Sequence, residues 1–319
     1  MSANILVCGS VAYDTVMVFP GRFKEHILPE QIHLLNVSFL APEMRREFGG
    51  CAGNIAHTLK LLGASPLIMA TVGEDAGPYF ARLEERGISR THIREIPGSY
   101  TAQAFVTTDL DDNQITAFHP GAMMFSHENH VDDVPEAALA IVAPDGRDGM
   151  LQHVRDLARR RVPFVFDPGQ GLPLFRGEEL LECLALADYA AFNDYEIRLT
   201  AERTGRTVAQ LAGEVEALIV TKGGEGSEIH VAGECLQIPA APPAAIVDPT
   251  GCGDAYRAGL LYGILHRWDW RTTGQLAALL GALKIETQGP QNHVFDPDKL
   301  ADRYRQAFGE TLRQPPAGA

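Results

Sequence analysis

The chain has 319 residues, 45% hydrophobic and 21% charged, a composition typical of a soluble globular protein. A formal net charge of −14 argues against nucleic acid or an anionic membrane as partner, and the runs Arg45-Arg46 and Arg159-Arg160-Arg161 read as solvated faces. Five cysteines, odd in number and without a CxxC pair, suit a reducing cytoplasm rather than a disulfide framework or a structural zinc site, and no leader or membrane-spanning run is evident.

In chain order, "NILVCGS" is a short apolar run ending in glycine, the pattern of a buried first strand. Residues 11–40 hold "YDTVMVF" and "HLLNVSFL" with no helical period between them. "GNIAHTLKLLG" places Ile55, Leu59 and Leu62 at helical spacing; "PLIMATVG" follows as a strand and "GPYFARLEERG" as a helix. Residues 101–119 read as two strands joined by a turn at Asp111-Asp112-Asn113. From Pro135 onward, apolar runs alternate with amphipathic stretches: "ALAIVAP", "DGMLQHVRDLARRR", "VPFVFDPG", "EELLECLAL", "DYAAFN", "EIRLTAERTG" and "EALIVTKGG". Strand and helix at this pitch predict one α/β domain over residues 1–319, with a mainly parallel sheet and helices on both faces. The two segments outside the rhythm, at about 11–45 and 98–122, predict a small antiparallel sheet placed as a lid. The tail "RQPPAGA" reads as disordered.

The stretch "AAIVDPTGCGDAYRAGLLYGIL" carries the clearest chemistry. An apolar run, read as a strand, leads to Gly251-Cys252-Gly253, and an aspartate opens an apolar helix. Glycines permit a tight turn and close approach to backbone amides, and free N–H groups at a helix start favour an anion. Asp254 alone is also an ordinary helix N-terminal residue. No Walker sequence occurs, and Tyr256 interrupts a G-x-G-x-x-G pattern.

Asp248-Pro-Thr-Gly-Cys-Gly-Asp254 resembles the DTxGAGD signature of the ribokinase-type (PfkB) carbohydrate and nucleoside kinases. Three further elements stand in the family's order: Gly49-Gly50-Cys51-Ala52-Gly53-Asn54, Asn193-Asp194-Tyr195-Glu196, and Thr221-Lys222-Gly223 with Gly226. The resemblance implies a ribokinase-like three-layer α/β/α sandwich with a small β-sheet lid, acting on ATP with Mg²⁺. It implies that Asp254 takes the proton of the attacking hydroxyl, and that the amides of Gly251, Cys252 and Gly253 form an anion hole. Glu196 and Asn193 would organise Mg²⁺ through its waters; Thr221, Gly223 and Gly226 would meet the nucleotide, bordered by Gly289 and Asn292. Some relatives hold a monovalent cation near these last loops.

On the acceptor side the resemblance implies Asp14, Gly49, Gly50 and Asn54. "AFHPGAMMFS", with His119 and Met123, and "FDPGQG", with Asp167 and Gln170, are more similar to microbial adenosine and nucleoside kinases than to fructokinases. Sulfur and aromatic groups suit a nucleobase face. The expected acceptor is therefore a purine nucleoside, adenosine foremost; the alternatives are a sugar kinase and a non-catalytic nucleoside-binding relative. Cys252 stands where the family has alanine, and its thiol at a helix start is expected to have a lowered pKa. His57 reads as a helix-surface or packing residue rather than a base, the "SHENH" histidines lack a third ligand, and "DLDDN" lacks the rest of a calcium loop. Monomer and homodimer, the latter by pairing of lid edges, are both open.

Overall fold

The computed structural model describes residues 3–27, 37–111 and 113–313. The first half of the strand-like run at 33–40, the central Asp112 of the expected turn, and residues 314–319 of the tail lie outside the described residues. The remainder of that run, residues 37–40, forms no strand.

The chain enters as β1 (Asn4–Cys8) and β2 (Ala12–Val18), then β3 (Glu43–Gly49), α1 (Cys51–Leu61), β4 (Ser65–Val72), α2 (Gly77–Glu85) and β5 (Ile93–Glu95). A hairpin follows, β6 (Ala102–Thr108) and β7 (Gln114–His119). The regular part comprises β8 (Ala137–Val142), α3 (Arg147–Arg160), β9 (Phe164–Phe166), α4 (Gly177–Leu186), β10 (Tyr189–Asn193), α5 (Asp194–Thr204), α6 (Val208–Ala212) and β11 (Ala217–Thr221). A second hairpin, β12 (Ser227–Val231) and β13 (Glu234–Ile238), precedes α7 (Cys252–Leu265), α8 (Trp270–Ile285) and α9 (Pro297–Phe308).

Among the described residues, the strands make a nine-stranded sheet in the order β13-β12-β11-β10-β9-β8-β1-β4-β5. It is parallel from β11 to β5, and the β12–β13 hairpin adds an antiparallel edge. Successive residues of β1 serve opposite layers. Ile5 and Val7 join Ile55 and Leu59 of α1, Leu260 of α7 and Leu276 of α8. Leu6 and Cys8 join Met150 and Val154 of α3, Leu180 of α4 and Ile197 of α5. Burial on both faces is why these strands are continuous apolar runs and why the fold has three layers.

The second sheet has the order β3-β2-β6-β7. It was expected to be antiparallel, but β2 and β6 pair in parallel. Between them the chain makes β3 and the α1–β4–α2–β5 excursion, and such a long crossover can return it in the same direction. A second correction concerns residues 244–247, read as a buried strand. They form no strand, and Ile246 and Val247 are 78% and 54% exposed. The amides of Val247 and Asp248 instead donate to the Ile285 carbonyl that ends α8.

Candidate active site

The motif residues gather at one edge of the large sheet, beyond the C-terminal ends of its parallel strands. Asn193 ends β10 and lies in register with Thr221, which ends β11. Asp167 follows β9, and Ser10 follows β1. Ligands of open α/β sheets bind in this crevice.

Asp254 lies in the first turn of α7, and Gly251 is the N-cap residue with φ of 82°. A Cβ there would press within 2.8 Å of Pro290, so the tight entry of α7 requires glycine. The expected trio of free amides needs correction. The Cys252 N–H donates to the Pro249 carbonyl at 3.2 Å, closing the turn into the helix. Among the described residues, the amides of Gly251, Gly253 and Asp254 meet no main-chain carbonyl. Gly253 is exposed, so an anion can reach this helix start.

The Asp254 carboxylate accepts from Asn54 Nδ2 at 2.8 Å. Asn54 Oδ1 in turn accepts from Gln291 Nε2 at 2.9 Å. The same Nε2 reaches Tyr79 Oη at 2.8 Å, and Tyr79 donates to the Gly49 carbonyl at 2.7 Å. Asn54, Tyr79 and Gln291 are buried, so this chain of bonds ties the double-glycine turn to the acid. Burial pushes the Asp254 carboxyl up to about 6; Asn54 opposes the rise, Asp167 adds to it and Arg257 opposes it. A carboxylate of that acidity is ionised at neutral pH yet basic enough to take a proton.

Behind Asp254, Arg257 and Asp167 form a buried bidentate pair, Nε to Oδ2 at 2.9 Å and Nη2 to Oδ1 at 3.1 Å. The role of Arg257 was not read from the sequence, although an arginine inside the apolar stretch "AYRAGLL" demands a partner. Asn193 caps α5 in a capping box. Its Oδ1 accepts from the Glu196 amide at 2.7 Å, and Glu196 accepts from the Asn193 amide at 2.7 Å and side chain at 2.8 Å. Burial raises the pKa of Glu196, and Asp167 raises it further. Three carboxylates, those of Asp167, Glu196 and Asp254, thus share the single guanidinium of Arg257. That acidic surplus, with Asn193 and Glu196 at its rim, fits a hydrated divalent cation.

On the acceptor side, Asp14 of β2 faces Glu47 of β3 and Ala104 of β6 in register, and Ala104 faces Phe118 of β7. These four residues share one face of the small sheet. Burial pushes Asp14 up to about 6, helped by the charges of Glu47 and Asp248. A Cβ on Gly49 would overlap Asp14 Oδ2, so glycine there gives the carboxylate its room. Gly50 turns into α1 with φ of 86°.

Several expected residues stand elsewhere. His119 is in register with Gln103, and Gln103 with Tyr13, which puts it on the face of the small sheet opposite Asp14. Phe118, not singled out from the sequence, shares the Asp14 face. Met123 lies in a 3₁₀ segment, Gly121–Glu128, that packs against β4 and α3, and Gln170 is exposed after β9. His57 is a packing residue as expected. It is buried, its ring nitrogen lies 3.0 Å from the His293 carbonyl, and burial lowers its pKa to about 4.

On the remaining side, Gly223 opens a short turn after Thr221 with free space around it. Gly226, at φ of 90°, is fixed by the entry to the β12–β13 hairpin, where a Cβ would overlap the Ile238 carbonyl. The Gly289 amide is occupied by Asp248 Oδ2 at 2.8 Å, and Asn292 donates to Glu47 at 2.9 Å and to the Gln288 carbonyl. Neither is a free nucleotide contact. Glu228, His230 and Cys235 bring donor atoms within 4.8 Å of one another, but the Lys222 ammonium is already paired with Glu228. Cys252 also departs from expectation. Burial pushes its thiol up to about 11, outweighing Lys284, which acts to lower it.

A family model described as pfkB family carbohydrate kinase matches residues 9–296. The chain belongs to that family. The nucleoside kinase of Methanocaldococcus jannaschii is 30% identical over 270 residues, 84% of this chain and 89% of that protein. A fructokinase of Escherichia coli is 27% identical over 91% of this chain and 95% of that one. Among solved structures, Burkholderia thailandensis nucleoside kinase in complex with inosine superposes with a TM-score of 0.89 at 52% identity, covering 97% of this chain and 100% of that one. The same protein in complex with ADP-inosine gives 0.87 at 53% identity, covering 99% of each. The fold is the ribokinase-like α/β fold of the family's kinases.

Proposed function

We propose that the chain is an ATP-dependent nucleoside kinase that transfers the γ-phosphate of ATP to the 5′-hydroxyl of a purine nucleoside, adenosine first and inosine beside it. One observation carries the chemistry: Asp254, a carboxylate held by Asn54, adjoins helix-start amides that meet no main-chain carbonyl. The hydroxyl oxygen attacks the γ-phosphorus and its proton passes to Asp254. The bond to the β–γ bridging oxygen breaks and ADP leaves. Phosphoryl transfer is mostly positioning and charge stabilisation, which the amides of Gly251 and Gly253 supply to the transferring group. Glu196 and Asn193 would hold Mg²⁺ through its waters, and the bound ion would neutralise charge on the phosphates. Thr221 and Gly223 border the nucleotide.

Asp14 accepts from acceptor hydroxyls, and the acid-rich surroundings of Asp14, Glu47 and Asp248 favour an uncharged polyol over a phosphorylated sugar. The small sheet, from about residues 11–45 and 98–122, serves as a lid on a single domain of residues 1–319, with Phe118 offering an apolar step for a base. Similarity to a nucleoside kinase solved with inosine supports the nucleoside over a free sugar. No helix among the described residues is long and apolar enough to cross a membrane, and the unpaired cysteines fit a cytoplasmic protein. The exposed edge strand β7 gives a second copy a place to pair; light scattering separates homodimer from monomer.

ADP release is to be measured across adenosine, inosine, ribose and fructose. Release with the nucleosides is expected; release with the sugars alone overturns the acceptor, and binding without release overturns the catalysis. Asp254→Asn should lower kcat by about 10²- to 10⁴-fold while ATP affinity holds in calorimetry. Near-normal turnover removes Asp254 from the mechanism.

A further inference from the structure

Lys284, in the last turn of α8, is 0% exposed. Its ammonium donates to the main-chain carbonyl of Asp248 at 2.8 Å and to that of Thr287 at 3.0 Å. Asp248 begins the segment that leads into α7, and Thr287 begins the turn that follows α8. The side chain of Asp248 joins the same two segments, accepting from the amides of Thr250 at 2.9 Å and Gly289 at 2.8 Å. Backbone carbonyls beside a carboxylate are the donors that a potassium-sized ion takes in place of its water. Here those carbonyls already point at an ammonium, and a second cation would compete with it for the same oxygens and face its like charge. The residues present therefore do not fit a bound monovalent cation. Burial lowers the Lys284 pKa, and the nearby carboxylates of Asp248 and Glu47 oppose that shift.

We propose that Lys284 is a built-in replacement for a bound monovalent cation, a positioning residue that clamps the segment entering α7 to the turn after α8, so that turnover needs no potassium. The inference rests on reading the start of α7 as the phosphoryl-transfer site. If the clamp is removed, the free amides of Gly251 and Gly253 lose their fixed position, so the loss should appear in kcat more than in the KM of the acceptor.

Two measurements test this. Initial rates of the wild-type enzyme are compared in potassium and choline salts at equal ionic strength, and the ligand-free melting temperature is followed in the same salts. Wild-type rate and melting temperature should be indifferent to the cation; several-fold activation by potassium overturns the proposal. Lys284→Met should lose kcat by about tenfold or more, as expected for one charge-assisted hydrogen bond at the low end of its range. Potassium or ammonium should restore part of that rate and give the ligand-free variant a saturable rise in melting temperature. Unchanged kcat, or a loss that neither ion rescues, refutes the replacement role. If the variant does not fold, the wild-type comparison decides. Absence of transfer to every acceptor would sink the kinase reading and leave the melting comparison standing, whereas an active, potassium-stimulated wild type sinks this proposal alone.

Discussion

Replacing Asn54 by alanine removes one hydrogen bond from Asp254 and one from the buried Gln291 side chain. The Nδ2–Oδ2 bond of 2.8 Å favours the ionised carboxylate. A hydrogen bond to a charged group contributes about 1.5–3 kcal/mol, and one pKa unit corresponds to about 1.4 kcal/mol. The loss therefore shifts the acid by roughly 1–2 units at most, from about 6 toward the range of about 7–8. The sign follows from the role: a base works when deprotonated, so turnover falls as pH drops through its pKa, and raising the pKa moves that fall to higher pH. Coupled ADP release with a purine nucleoside, followed from about pH 5 to about pH 9, should show the acidic limb of kcat/KM displaced upward in Asn54→Ala. The plateau should drop less than it does in Asp254→Asn. An acidic limb left in place, or moved downward, would refute the assignment of Asp254 as the titrating base held by Asn54.

Gly49→Ala places a methyl group on Asp14 Oδ2 and should raise the KM of the acceptor by about tenfold or more while leaving that of ATP nearly unchanged; equal effects on both substrates would detach Asp14 from acceptor binding. Arg257→Met leaves the Asp167 carboxylate buried without its partner. It should cost about 3–5 kcal/mol of stability in denaturant unfolding, and a loss below about 1 kcal/mol would show the pair to be solvated. The raised pKa of Cys252 predicts slow alkylation at neutral pH, with Cys252→Ala close to wild type in turnover. Rapid Cys252 modification, located by peptide mapping, would contradict the burial argument.

The large sheet was legible because its strands are buried on both faces and so appear as unbroken apolar runs between amphipathic helices. The β12–β13 hairpin was not, since "SEIHV" and "ECLQI" turn polar residues outward at a sheet edge and carry few apolar ones. The run "AAIV" misled for the opposite reason: its apolar side chains stay in solvent while its backbone docks on the end of α8. Within the site, the pairing of Asn193 with Glu196 is local, three positions apart, whereas Asp254 meets Asn54 across 200 positions. Arg257 meets Asp167 across 90 positions, and Tyr79 meets Gln291 across 212. No local pattern encodes such pairs. His119 and Phe118 show the limit of composition, since adjacent residues in a strand face opposite sides and only the register tells them apart.

Asn292 and Glu47 join the small sheet to the turn after α8 through one exposed hydrogen bond. A contact of that kind exchanges readily with water, so it adds little to the depth of either resting position. In the proposed lid role, a tilt of the small sheet would part this contact, while the buried bonds that run from Gly49, at the end of β3, to Asp254 would hold its root. A loose latch beside a stiff root would let the proposed lid admit an acceptor without disarming the proposed base.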